Sequence, residues 1–79
     1  MNKLETIRKE IQKYHNILRL TKEESLNLIG SKHGYKHYES FYKVVTGERL
    51  TLDSEKNEKK LQSILDDYKK VNESRQNNL

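Results

Sequence analysis

The densest group of chemically active side chains in this sequence lies in residues 31–38, which read S-K-H-G-Y-K-H-Y. Within it, His33 and His37 have the four-residue spacing that can place two metal ligands on one face of a helix. Gly34 breaks that helix and no acidic or thiol group lies within the segment, so we expect no metal site. Basic side chains interleaved with aromatic ones instead favour contacts to phosphates, sugars and base edges. The segment therefore indicates an interaction surface.

Other candidate groups do not support catalysis. Asp66 and Asp67 suggest metal or acid-base chemistry, but neighbours on a helix point about 100° apart, so we predict surface charge. His15 stands alone beside an apolar stripe, which is typical of a structural or surface histidine. The chain has no phosphate-cradling glycine loop and no nucleophile with a placed base, and 79 residues leave little room for a dry cleft. We expect neither an enzyme nor a cofactor.

Composition limits the fold that can position these residues. Only 32% of the residues are hydrophobic and 35% are charged, so the core must come from narrow apolar stripes on helices. The absence of proline permits long helices and argues against a sandwich or barrel with many tight turns. We predict an all-α fold, with one helical domain over residues 1–75 and a frayed polar tail over 76–79. The formal charge of +4 is compatible with a polyanionic partner.

Two apolar stripes predict the long helices at the two ends of the chain. The first helix covers residues 3–19, and Arg8 lies among the charged residues of its solvated faces. The last covers residues 55–73 and is capped by Asp53 or Ser54. Its apolar band is confined to its second half and packs on the first helix or faces a second copy of the chain. The stripe residues are Leu4, Ile7, Ile11, Tyr14 and Leu18 in the first helix, and Leu61, Ile64, Leu65, Tyr68 and Val71 in the last.

Two shorter helices are predicted between the long ones. Thr21 and Glu24 form a capping box at the start of a helix over residues 22–29, and Gly30 ends that helix in a left-handed turn. Apolar residues then recur at three- and four-residue intervals over residues 36–46, which predicts a further helix. Its apolar positions are Tyr38, Phe41 and Val44 or Val45, and we expect Tyr38 to be buried and Tyr35 to be partly exposed.

The run from Leu18 to Leu65 resembles the Cro/repressor class of helix-turn-helix proteins, also called the xenobiotic-response-element type. In that family the first motif helix usually begins T-x-E-E and closes on a hydrophobic-Gly pair, and this chain has T-K-E-E from Thr21 and Ile29-Gly30. The family's recognition helix commonly ends as residues 41–49 do, F-Y-K-V-V-T-G-E-R. The turn before this helix is lengthened by about five residues relative to the compact family turn.

The resemblance implies a small helix-turn-helix bundle of four to five helices that binds double-stranded DNA. It implies a transcriptional regulator of phage or mobile-element type, with recognition helix 36–46 in the major groove. Lys22 stands where the family typically contacts a phosphate. Glu39 fits a DNA-binding helix less well, because phosphates repel a carboxylate unless the carboxylate accepts a hydrogen bond from a cytosine amino group. The predicted DNA-binding residues are Lys22, Lys32, His33, Lys36, His37, Ser40, Lys43 and Arg49.

The alternative is an inhibitor or antirepressor-like module that uses the same helical frame to bind and block another protein. The lengthened turn favours this protein partner, whereas the basic composition of the turn favours DNA. A homodimer through the C-terminal helix would suit a palindromic DNA site. Because the chain has no cysteine, no signal-peptide core and no apolar run near ~20 residues, we expect a cytoplasmic protein with no membrane partner.

Overall fold

The computed structural model describes residues 3–77, with side chains through residue 76. Its helices are α1 (Lys3–Leu18), α2 (Lys22–Leu28), a short 3-10 helix (Gly30–His33), α3 (Tyr38–Thr46) and α4 (Glu55–Asn77). No strand occurs in this part of the chain, so the all-α prediction is confirmed.

The predicted ends of α1 and α2 are one residue too late, and two other predicted boundaries differ by more. Helix α3 begins two residues later than predicted, because Lys36 and His37 belong to the preceding loop and His37 is the N-cap residue in extended conformation. Helix α4 ends four residues later than predicted and includes Gln76, which we had assigned to the tail. Residues 78–79 of that tail lie outside the described residues.

The predicted helix starts are found at α2 and α4. The Glu24 backbone N–H donates to the Thr21 hydroxyl at 3.1 Å, and the Thr21 N–H donates to the Glu24 carboxylate at 3.0 Å, which confirms the capping box. At α4 the cap is Ser54 rather than Asp53, since the Ser54 hydroxyl accepts from the Asn57 N–H at 3.2 Å.

Helices α1 and α4 lie side by side and run in the same direction. The Lys3 ammonium lies 3.9 Å from Glu58 near the start of both helices, and Arg75 donates to the Leu18 carbonyl at 2.9 Å near their ends. Of the two partners predicted for the apolar band of α4, the first is observed, because this band packs on α1. Its members Leu61, Ile64, Leu65 and Tyr68 are each at most 3% exposed.

Helix α3 lies against this pair and runs antiparallel to α1. The Gln12 side chain donates to the Val45 carbonyl at 2.9 Å, while His15, further along α1, faces Tyr42, which comes earlier in α3. Arg8 is not the solvated residue we predicted. Its Nε donates to the Val44 carbonyl at 3.2 Å, and its Nη2 donates at 2.9 Å to two carbonyls of the following loop, those of Arg49 and Leu50. Long arginine side chains can reach such carbonyls across a helix surface, which periodicity does not reveal.

Gly30 has a different role from the one predicted. It does not adopt a left-handed conformation; the glycines that do are Gly34 and Gly47, with φ of 87° and 97°. A Cβ at Gly30 would lie 3.1 Å from the Phe41 ring, so the missing side chain lets α3 pack closely against the end of α2. The connection over residues 29–37 begins with two buried residues, Ile29 and Gly30, but most of its later residues are exposed.

Candidate interaction surface on helix α3

Helix α3 has a buried inner face and an exposed outer face. Phe41, Val44 and Val45 are at most 2% exposed and form the inner face. Side chains three and four positions apart share one side of a helix, so the residues between the buried ones point away from the core. We call the exposed side the outer face; its residues are Glu39, Tyr42, Lys43 and Thr46.

A groove of about 450 Å³ runs along this outer face, and we call it the tyrosine groove. Tyr38 and Tyr42 stack in it, with ring centroids 5.3 Å apart and planes at 20°. The Lys22 ammonium lies 5.9 Å from the centroid of the Tyr38 ring. The groove combines two ammonium groups and two carboxylates, so its charge is balanced. Its lining residues are Lys22, Tyr38, Glu39, Tyr42, Lys43 and Glu48.

Tyr38 lines this groove and is only partly buried, so the prediction that it belongs to the core is wrong. Helix α3 begins at Tyr38, and Phe41, Val44 and Val45 already fill the side that faces the core. Tyr38 is left at the edge of that side. Burial raises the pKa of Tyr38, with smaller contributions from Tyr42 and from the Glu39 carboxylate.

The floor of the tyrosine groove is joined to the core through His15. The His15 ring lies against Tyr42 with centroids 5.6 Å apart, and its Nδ1 lies 2.9 Å from the hydroxyl oxygen of Tyr68. Tyr68 is fully buried and stacks on Phe41 at 6.4 Å. Burial lowers the pKa of His15 and raises that of Tyr68. Both shifts favour a neutral imidazole that accepts a hydrogen bond from the protonated Tyr68 hydroxyl. Of the two roles that we predicted for His15, structural or surface, the structure shows the structural one.

Of the predicted DNA-binding residues, Lys22 and Lys43 reach the tyrosine groove. Ser40 is half-buried on the opposite flank of α3 from Tyr38. The Arg49 charge lies near the Tyr35 hydroxyl, where it partly opposes the increase in pKa that burial causes. Four of the remaining predicted residues are exposed, namely Lys32, Lys36, His37 and Arg49.

His33 is a predicted DNA contact whose side chain is largely buried. Its Nε2 lies 2.6 Å from the Asp67 carboxylate of α4, and the two side chains are only 11% and 17% exposed. Lys60 completes this cluster by donating to the His33 carbonyl at 3.4 Å and lying 5.0 Å from the centroid of the Tyr35 ring. Asp67 is therefore not the free surface charge we predicted, and His33 joins the 3-10 helix to α4.

The metal hypothesis for His33 and His37 was weak on sequence grounds, and the two residues do not share a helix. His33 ends the 3-10 helix, and His37 is the N-cap of α3. Within residues 3–77 no group of three or more histidine, aspartate or glutamate side chains is arranged to hold a metal ion.

The start of α2 is less suited to phosphate than the family resemblance implies. The Glu24 carboxylate turns back to the Thr21 N–H, and hydrogen bonds with the Thr21 backbone and side chain lower the pKa of Glu24. A negative charge thus already occupies the positive end of this short helix. A phosphate contact from Lys22 would depend on its ammonium group.

The predicted DNA-binding residues did not include four exposed residues on or beside α3, which are Glu39, Tyr42, Thr46 and Glu48. The signal was present, because burial of Phe41, Val44 and Val45 on one side dictates which residues occupy the other. We instead favoured Lys36 and His37, which precede the helix.

Comparisons of the chain with protein-family models, with curated proteins and with solved structures find no match. Among residues 3–77 no helix is both long and apolar enough to cross a bilayer.

Proposed function

We propose that this protein binds double-stranded DNA as a small transcriptional regulator, with the outer face of α3 in the major groove. The observation that carries the proposal is the contrast between the two sides of this helix. One side is buried and is hydrogen-bonded to α1, and the other presents exposed charged and hydroxyl groups. An α-helix with its side chains is about 10–12 Å across, which suits a major groove about 12 Å wide.

Exposed cations border α3 and supply the charge that such binding needs. Lys36 precedes the helix, Arg49 follows it and Lys22 lies beside Tyr38 across the tyrosine groove. In the proposal these three side chains and Lys32 contact phosphates, while Lys43 and Tyr42 face base edges. His33 has no part in binding, because Asp67 holds it.

The salt dependence of binding tests this proposal. Affinity for duplex DNA is expected to fall steeply between ~50 and 200 mM salt, because neutralised phosphates release counterions. Lys43→Ala should weaken binding, because it removes a contact to a base edge. The measurement is fluorescence anisotropy across a salt series.

Lys70→Ala is the matched control, because Lys70 is an exposed lysine of α4 that does not line the tyrosine groove. It should retain the affinity of the unmodified protein to within about twofold. Equal losses from both variants would indicate binding by general charge, and the absence of any DNA binding would exclude the proposal.

The tyrosine groove supports a second candidate, a module that binds and blocks another protein. Its charge balance and its stacked tyrosines suit a polypeptide better than a uniformly charged phosphate backbone. A partner that is captured after nuclease treatment, and lost when Tyr42→Ala is introduced, would favour this candidate. A partner lost on nuclease treatment alone would favour DNA.

A further inference from the structure

Glu39 is the feature of the outer face that general DNA attraction does not explain. It lies in the first turn of α3, is exposed and lines the tyrosine groove. Among the described residues no cation lies within ion-pair distance of its carboxylate. Lys43 follows one helical turn later on the same side. A carboxylate placed here would face the DNA that α3 contacts and would be repelled by its phosphates.

Base edges in the major groove offer a carboxylate one well-suited partner. A carboxylate only accepts hydrogen bonds, so it needs a donor among the exposed base groups. Cytosine presents its N4 amino group as a donor, whereas the adenine N6 amino group stands beside the N7 acceptor, which opposes a second acceptor. A glutamate in this position therefore selects cytosine and disfavours the other bases.

We propose that Glu39 is a specificity-determining residue that accepts a hydrogen bond from the N4 amino group of a cytosine. The inference rests on the proposed function and deepens it by naming a base. Lys43 lies about 6 Å further along the helix axis, a distance that covers about two base pairs. Since lysine donates to guanine O6 and N7, we expect a further G·C pair about one or two base pairs away from that cytosine.

Discrimination of this kind needs a helix that cannot shift, and α1 supplies that restraint. Arg8 donates to the carbonyls of Val44 and Leu50, and Gln12 donates to the carbonyl of Val45. These bonds fix the C-terminal half of α3 against α1. The Phe41 side chain, packed against Gly30, fixes its first half. Glu39 and Lys43 are therefore presented at a constant separation.

The test is selection from a pool of random duplexes at one fixed salt concentration, followed by affinity measurements on single base-pair variants. Three proteins are compared: the unmodified chain, Glu39→Gln and the matched control Glu48→Gln. Both substitutions remove one negative charge from the tyrosine groove, but Glu48 lies beyond the end of α3. Circular dichroism checks that each variant is folded.

The unmodified protein should select a site with one required cytosine, and replacing that base should weaken binding at least about fivefold. Glu39→Gln should change the preferred base from cytosine to adenine, because glutamine can pair with adenine N6 and N7. Glu48→Gln should keep cytosine and change only the overall affinity.

The outcomes separate this inference from the function on which it rests. Sequence-specific binding with the same preferred bases in Glu39→Gln would overturn the role of Glu39 and leave DNA binding intact. Binding without any base preference would do the same. Absence of DNA binding by the unmodified protein would overturn both.

Discussion

The two sides of helix α3 share one short segment of sequence but differ in what their residues contact. On the inner side, Phe41, Val44 and Val45 are buried, and carbonyls of the helix accept hydrogen bonds from Arg8 and Gln12 of α1. On the outer side, Glu39, Lys43 and Thr46 are exposed. Stability and, in the proposed function, DNA recognition depend on different residues of one helix, so that each can be changed separately.

The largest expected effect contrasts two neighbouring aromatic residues. Phe41 is 0% exposed and Tyr42 is 41% exposed. Phe41→Ala should lower the free energy of unfolding by about 3–5 kcal/mol, because it removes a buried ring and leaves a cavity. Tyr42→Ala should cost about 1 kcal/mol through its lost stacking on Tyr38. Urea unfolding followed by circular dichroism measures both values.

Because Phe41→Ala takes a large share of the stability of a small domain, Phe41→Leu provides a milder variant that remains folded. It should still be destabilised more than Tyr42→Leu. Equal losses for these two variants would show that the inner and outer sides of α3 do not differ as described.

The next effect contrasts two cationic side chains. Arg8→Met should lower the free energy of unfolding by about 1–3 kcal/mol, because several carbonyls lose a charged donor. One of them belongs to Leu50, whose φ of 56° is unusual for a residue with a side chain and depends on its surroundings. Lys43→Met should stay within about 0.5 kcal/mol of the unmodified protein. Thermal and urea unfolding measure both variants. Equal losses in the free energy of unfolding would contradict the expected difference between Arg8 and Lys43.

The smallest expected effect is on the pH dependence of stability and concerns His15, whose ring packs against Tyr42 of the outer face. Burial lowers the pKa of His15 in the folded state, so the unfolded chain binds a proton more readily. The stability that results is fully present above about pH 6.5 and is lost as the pH falls through the lower pKa of the folded state. Unfolding free energies at pH 7.5 and 5.5 should therefore differ less for His15→Asn than for the unmodified protein.

His37→Gln is the control for this pH experiment, because His37 is exposed. It should retain the full pH dependence. If His15→Asn retained it as well, burial of His15 would not be the source of the pH dependence.

Local features of this fold could be predicted from sequence, because their causes lie within a few residues. The capping box of Thr21 and Glu24 joins residues three positions apart, and the buried stripe of α1 follows directly from helical spacing. Burial of Phe41 and of Val44 or Val45 in α3 was predicted for the same reason, although Tyr38 was wrongly included and the first turn was placed two residues early.

Contacts between distant residues could not be predicted. Arg8 and the carbonyl of Leu50 are 42 positions apart, and His33 and Asp67 are 34 positions apart, so no spacing rule joins them. A polar residue on a helix has the same periodicity whether it faces water or a neighbouring helix. Arg8 was accordingly read as solvated and His33 as a DNA contact, and Tyr38 was assigned to the core because its spacing fits the inner stripe.

The parallel pairing of α1 with α4 has a consequence for synthesis on the ribosome. Residues that meet across this pair are separated by 53 positions at His15 and Tyr68 and by 57 at Leu18 and Arg75. Before α4 has emerged from the ribosome, the apolar stripe of α1 is not covered by it. Bringing α1 and α4 together closes a long loop, which carries an entropic cost that local helix formation does not. The part of the core between α1 and α4 therefore forms only after α4 has been synthesised, and a chain truncated before α4 would leave the apolar stripe of α1 exposed.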